Sequence, residues 1–141
     1  MKLLVLAVGK LKEPWVRQGC AEYEQRIARH LPYECLELRD EAALERRWPP
    51  RYHVIALDER GREPTTVELA ERLRQWTSGG IQGVAFLLGG ADGHSPAVLA
   101  RADEKMALSR LTLPHRLARL LLVEQLYRAL SLLRGEPYHR A

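Results

Sequence analysis

Apolar side chains run unbroken from Leu3 to Val8 and again from Val84 to Leu88. Runs of strand length without polar alternation suit strands buried on both faces of a parallel sheet, so Lys2–Val8 and Gly83–Leu88 are predicted as two such strands. Tyr33–Leu38 alternates apolar and polar residues and predicts a third, and His53–Leu57 a fourth. Between them the spacing changes. Val16, Cys20, Tyr23, Ile27 and Leu31 recur by threes and fours between Pro14 and Pro32, the signature of a helix with one core-facing stripe. A short charged helix is predicted from Glu41 to about Arg47, running into the Trp48-Pro49-Pro50 loop. Thr65 or Thr66 caps a helix through about Trp76 that Ser78-Gly79-Gly80 closes. Ser95-Pro96 opens another short helix, Lys105–Leu108 reads as a last short strand, and Thr112-Leu113-Pro114 starts a final helix ending near Arg134. Strands alternating with helices and no internal repeat predict an α/β fold, a parallel sheet covered by helices on both faces. Function then belongs to the loops at the strand ends.

Length adds that residues 1–141 form one domain, since a second core would be starved of apolar residues. A composition of 46% hydrophobic and 28% charged residues excludes a disordered chain. The apolar start is a buried strand and not a secretory signal, because Lys10, Lys12 and Glu13 follow with no small-residue cleavage site, and no segment spans a membrane. Cys20 and Cys35 lie in apolar-patterned segments without metal-ligand spacing, which reads first as reduced core thiols of a cytoplasmic protein with no metal, a disulfide between them being the lesser alternative. The net charge of +4 is modest for a partner of nucleic acid, but its distribution is informative. From Ser109 onward six arginines face only Glu124 and Glu136, so the last quarter of the chain carries the whole excess.

Three segments could carry chemistry. Gly89-Gly90-Ala91-Asp92-Gly93 follows a buried strand, where glycines let backbone groups approach a ligand, although a tight turn explains it equally well. Neither this loop nor Gly9 has the pattern of a P-loop or a dinucleotide fold. Leu57-Asp58-Glu59-Arg60 ends another strand on the same rim, where Asp58 reads first as a turn carboxylate. The final helix is apolar on more sides than one core requires, and burial against a partner subunit would account for the excess. Its Glu124 and Arg128 are spaced for an i,i+4 ion pair, a structural role that competes evenly with a role in a site. The tail Pro137-Tyr138-His139-Arg140 would ordinarily be solvated, yet it groups a stacking ring, an imidazole and a guanidinium, a set that suits a nucleotide.

Taken in order, Leu-Leu-Gly-Gly-Ala-Asp-Gly at 87–93, Leu-Ser-Arg-Leu-Thr-Leu-Pro-His at 108–115, Glu-Gln-Leu-Tyr-Arg-Ala at 124–129 and Pro-Tyr-His-Arg at 137–140 resemble the large-subunit ribosomal RNA pseudouridine N3-methyltransferases of the trefoil-knot, or SPOUT, superfamily. The opening thirteen residues and Ala-Leu-Asp-Glu-Arg-Gly at 56–61 share the likeness, so it covers nearly the whole chain. Two departures stand out: the region around 40–50 is shorter than is usual in that family, and Arg116 replaces a commonly uncharged residue.

The resemblance implies a parallel-rich α/β sheet with a C-terminal trefoil knot, an exception to the rule that chains do not thread their own loops. It also implies an obligate homodimer and S-adenosylmethionine as the methyl donor, held mostly by backbone at Leu57, Gly90 and the segment Leu108, Ser109, Arg110, Leu111, Thr112 and Leu113. Methylation of N3 of a pseudouridine in 23S ribosomal RNA, on assembled ribosomes, is the implied reaction. By the same carry-over Tyr138, His139 and Arg140 close over a donor site, in one subunit or its partner, with Arg140 holding phosphate or developing charge and His139 assisting deprotonation. Lys10, Lys12, Arg116 and Arg119 are the expected phosphate contacts. The competing readings are a ribosome-binding module without catalysis and a knotted methyltransferase acting on another RNA.

Overall fold

The computed structural model describes residues 1–140. Five parallel strands, β1 (Lys2–Val8), β2 (Tyr33–Leu38), β3 (His53–Arg62), β4 (Gly83–Leu88) and β5 (Glu104–Met106), lie in the order β2-β1-β4-β3-β5. The helices are α1 (Pro14–Ala28), α2 (Glu41–Arg46), α3 (Thr66–Ser78), α4 (Pro96–Arg101) and α5 (His115–Leu133). The two strands with unbroken apolar runs, β1 and β4, are neighbours in the sheet interior, as burial on both faces requires.

Strand side chains divide by alternation. Leu3, Val5, Ala7, Ile55, Val84, Phe86 and Leu88 point to the face covered by α1, α3 and α5, whereas Leu4, Leu6, Val54, Ala85 and Leu87 point to the face covered by α2 and α4. Helix α5 runs between α1 and α3 and buries Leu122, Val123, Leu126, Tyr127, Ala129 and Leu130 within the chain's own core. Most of its apolar excess is therefore used internally, and Leu121 and Leu133 are the large side chains it leaves exposed. Cys20 and Cys35 are free thiols; burial pushes Cys20 up to about 11 and Cys35 to about 12, so both stay protonated and unreactive. No helix among the described residues is long and apolar enough to cross a membrane.

The sheet departs from expectation at β3, which continues five residues beyond Leu57. Its polar continuation carries no apolar pattern, but its backbone bulges between Leu57 and Arg62 and crosses close to β5 again: both residues register with Met106, and the Ala107 N–H donates to the Arg62 carbonyl at 2.8 Å. Gly61 lies at this crossing, where a Cβ would meet the Lys105 carbonyl carbon at 2.6 Å and the Met106 nitrogen at 2.7 Å. Strand β5 correspondingly ends at Met106. Leu108 and its successors are thus free to turn along the rim, where the ends of β3 and β4 already lie.

Candidate functional site

Three loops meet on that rim around a cavity of about 810 Å³. The first is the end of β3, Leu57 to Arg60; the second is Leu88 to His94; the third runs from Leu108 to Pro114 and continues into the start of α5 with His115 and Ala118. Of the eight positions expected to hold a donor, Leu57, Gly90, Leu108, Ser109, Leu111, Thr112 and Leu113 line the cavity, while Arg110 is exposed and contributes no wall.

Local chemistry shapes each wall. Gly93 takes a φ of 73°, and its N–H donates to the Gly90 carbonyl at 3.0 Å, closing the glycine loop as a tight turn. A Cβ at Gly89 would lie 2.8 Å from the Gly93 carbonyl carbon, so the loop needs glycine there as well. The loop is pinned from below by His94, whose side chain is only 1% exposed. Its Nε2 lies 3.0 Å from the Leu87 carbonyl and its Nδ1 3.0 Å from Glu41 Oε1, which also accepts the Ser95 N–H at 2.7 Å. Across the mouth, the Thr112 hydroxyl donates to Glu59 Oε2 at 2.9 Å and ties the third loop to the first.

Asp58 is the residue that sequence reasoning set aside. Its Oδ2 faces no solvent and makes no hydrogen bond. Arg60 brings Nε within 3.3 Å of it, but out of line for a hydrogen bond, and the Arg60 side chain is 76% exposed. A buried carboxylate oxygen without a partner is costly and rarely kept in a cavity wall without use. Asp92 and Glu59 add two exposed carboxylates, and the described residues contain no cluster able to hold a metal ion.

The tail is docked, not frayed. The Tyr138 ring packs edge-on against Tyr127 at 4.7 Å, and its hydroxyl donates to Glu124 Oε2 at 2.7 Å and lies 3.2 Å from the Tyr23 hydroxyl. Burial, with these hydrogen bonds, holds the phenol far above its usual range, so Tyr138 keeps its proton and acts as an anchor. Arg128 donates to Glu124 through Nε at 3.0 Å and Nη2 at 2.6 Å, stacks over the Tyr138 ring, and donates from Nη1 to His139 Nδ1 at 3.3 Å. The i,i+4 ion pair is therefore real and also positions the tail. Arg140 is exposed, with no ion pair among the described residues. None of the three tail residues lines the cavity of the same protomer. Their anchor, Glu124, lies roughly 13 Å along α5 from its start at the cavity.

The expected phosphate contacts separate. Lys10 and Lys12 are exposed on the loop after β1, and Arg116 is half-exposed, 3.9 Å from Glu13 on the same loop. Arg119 does not belong with them: its side chain is 6% exposed, with Nη1 2.6 Å from Glu37 and Nη2 3.0 Å from the Gly9 carbonyl. A guanidinium so enclosed cannot reach a phosphate; it fastens β2 and the loop after β1 to α5. Arg119→Ala should lower stability by about 3 kcal/mol, the lower end of the range for a broken buried pair because Glu37 keeps some solvent. A urea midpoint that does not move would refute that structural role.

The model of the predicted SPOUT methyltransferase family matches residues 1–139. The protein named ribosomal RNA large subunit methyltransferase H of Anaeromyxobacter sp. (strain Fw109-5) is 51% identical over 154 residues, covering 99% of this chain and all of the relative. That of Nitrosomonas eutropha is 42% identical over 156 residues, with both chains fully covered. Among solved structures, a probable methyltransferase from Bordetella pertussis Tohama I superimposes with a TM-score of 0.59 at 15% identity, over 92% of this chain and 95% of that one. A probable methylase family protein from Haemophilus influenzae Rd KW20 superimposes with a TM-score of 0.57 at 10% identity, over 99% of this chain and 70% of that one. These structures are similar in fold.

Proposed function

Because the chain belongs to the SPOUT methyltransferase family, we propose that it methylates large-subunit ribosomal RNA from S-adenosylmethionine, at N3 of a pseudouridine, and works as a homodimer with the trefoil knot of its superfamily. The observation that carries this reading is the convergence of the 57–60, 88–94 and 108–115 loops on one cavity, since these segments hold the motifs shared with pseudouridine methyltransferases. The name borne by the full-length relatives supplies the substrate class.

The cavity fits the donor on physical grounds. Its volume falls within the roughly 300–1,000 Å³ of small-molecule sites. Its walls combine glycine backbone, apolar side chains from Leu57, Leu108, Leu111 and Leu113, and an acidic side, which suits a nucleoside bearing positive charge. When bound, the donor supplies an electrophilic methyl group on a sulfonium centre. The protein's own tasks are then to hold the acceptor nitrogen in line and to manage its proton. Tyr138 anchors the tail, His139 offers an imidazole and Arg140 a phosphate-binding fork; in this reading they act at the partner's cavity, because the tail lies away from its own. Exposed Leu111, at 76%, and Leu121, at 40%, are apolar surface that a second subunit would cover. Lys10 and Lys12, on the loop after β1, and Arg116, at the start of α5, contact the RNA backbone.

Calorimetry with S-adenosylmethionine, with and without ribosomes, should detect donor uptake. Mass spectrometry of ribosomal RNA from a strain lacking the protein should find one methylpseudouridine missing. Ribosome affinity should fall with salt, and with a shallower slope once the two lysines are removed. No donor uptake under any condition would leave only a ribosome-binding module. A missing methyl group elsewhere in RNA would keep the enzyme and replace the substrate.

A further inference from the structure

We propose that Asp58 is the receptor for the amino group of the methyl donor's methionine moiety, and that Arg60 is an internal stand-in which the incoming ammonium displaces. The inference rests on the donor reading of the cavity and assigns one group of that ligand to one side chain.

Asp58 Oδ2 is shut off from solvent and lacks a hydrogen-bond donor, although its residue lines the cavity. A carboxylate oxygen in that position calls for an N–H or O–H, preferably charged, because charge-assisted hydrogen bonds are roughly twice as strong as neutral ones. Within the protein the cation offered is Arg60, and it is poorly placed. Its Nε lies 3.3 Å away without alignment, on a side chain that is 76% exposed and so held by little else. An exposed, misaligned guanidinium contributes little and is cheap to move.

The choice of ligand group follows from its chemistry. A sulfonium has positive charge but no proton to donate, so it cannot satisfy Oδ2. Ribose hydroxyls can donate but carry no charge to replace that of Arg60. The α-ammonium has both. The site is built at the end of β3, where the crossing over β5 fixes the backbone, so the acid is held by rigid scaffold.

Three probes separate these groups: S-adenosylmethionine and S-adenosylhomocysteine both carry the ammonium, whereas methylthioadenosine keeps the ribose and adenine and lacks it. Calorimetry on the full-length protein should show Asp58→Asn weakening the first two by at least about tenfold and the third by less than about twofold. Asp58→Ser should behave alike. Both variants should melt no lower than the wild type, because a carboxylate oxygen that has neither solvent nor a hydrogen bond has been removed. Arg60→Ala should bind S-adenosylmethionine at least as tightly as the wild type. Equal loss for all three probes, a lowered melting temperature, or an Arg60→Ala defect matching that of Asp58→Asn would each overturn the assignment. Normal uptake by Asp58→Asn would overturn it while leaving the methyltransferase reading intact; no uptake by the wild type would remove both.

Discussion

Arg140→Ala should turn over at least about a hundredfold more slowly than the wild type while binding S-adenosylmethionine with unchanged affinity. The scale is that of removing one electrostatic donor from a reacting centre. His139→Ala should fall within the same range, as expected for a lost proton-transfer group. Binding should survive because the 57–60, 88–94 and 108–115 segments build the cavity wall without the tail, and Tyr138 is held on α5 by Glu124, Tyr127 and Tyr23. That separation also makes the subunit arrangement testable. Arg140→Ala mixed with a donor-site variant, each inactive alone, should recover activity in the heterodimer, where an intact cavity meets an intact tail. No recovery on mixing would place the tail at its own cavity or outside the reaction, and unchanged turnover in Arg140→Ala would remove that guanidinium from the chemistry altogether.

The parts of this fold that sequence made legible are those in which a local pattern and a tertiary role coincide. β1 and β4 are apolar throughout because they lie inside the sheet, and the three-and-four spacing of α1 points Val16, Cys20 and Ile27 at one core. The glycine loop was visible as a loop, and the shared motifs placed it beside 57 and 108–113. What escaped is what depends on distant partners. Arg119 stands in a helix of leucines, so an enclosed role was readable in principle, but the acid that accepts it lies 82 residues away. Asp58 looks like any turn carboxylate until β3 is seen to continue past it to Arg62 and its Oδ2 to be shut off from water. The tail looked frayed because its anchor, Glu124, had an adequate local explanation in Arg128.

Gly61→Ala should be strongly destabilising, and comparison with Gly90→Ala shows why. At Gly61 the new carbon would fall 2.6 Å from the Lys105 carbonyl carbon and 2.7 Å from the Met106 nitrogen, both backbone atoms of a paired strand. Backbone cannot step aside as a side chain does, so β3 and β5 must part at their crossing, at a cost of about 3 kcal/mol or more, the upper end of overpacking penalties. At Gly90 the nearest atom is the Val8 Cγ1 at 3.2 Å, and a small rotation relieves it. Gly90→Ala should therefore keep its urea midpoint close to the wild type and lose donor affinity alone, by narrowing the cavity. Gly61→Ala should lose stability and donor binding together, because the segment from Ala107 onward starts its path along the cavity from the hydrogen bond to Arg62. If Gly61→Ala melted like the wild type and bound donor normally, the close crossing of β3 on β5 would be wrong, and with it the route by which this sheet brings its third loop to the site.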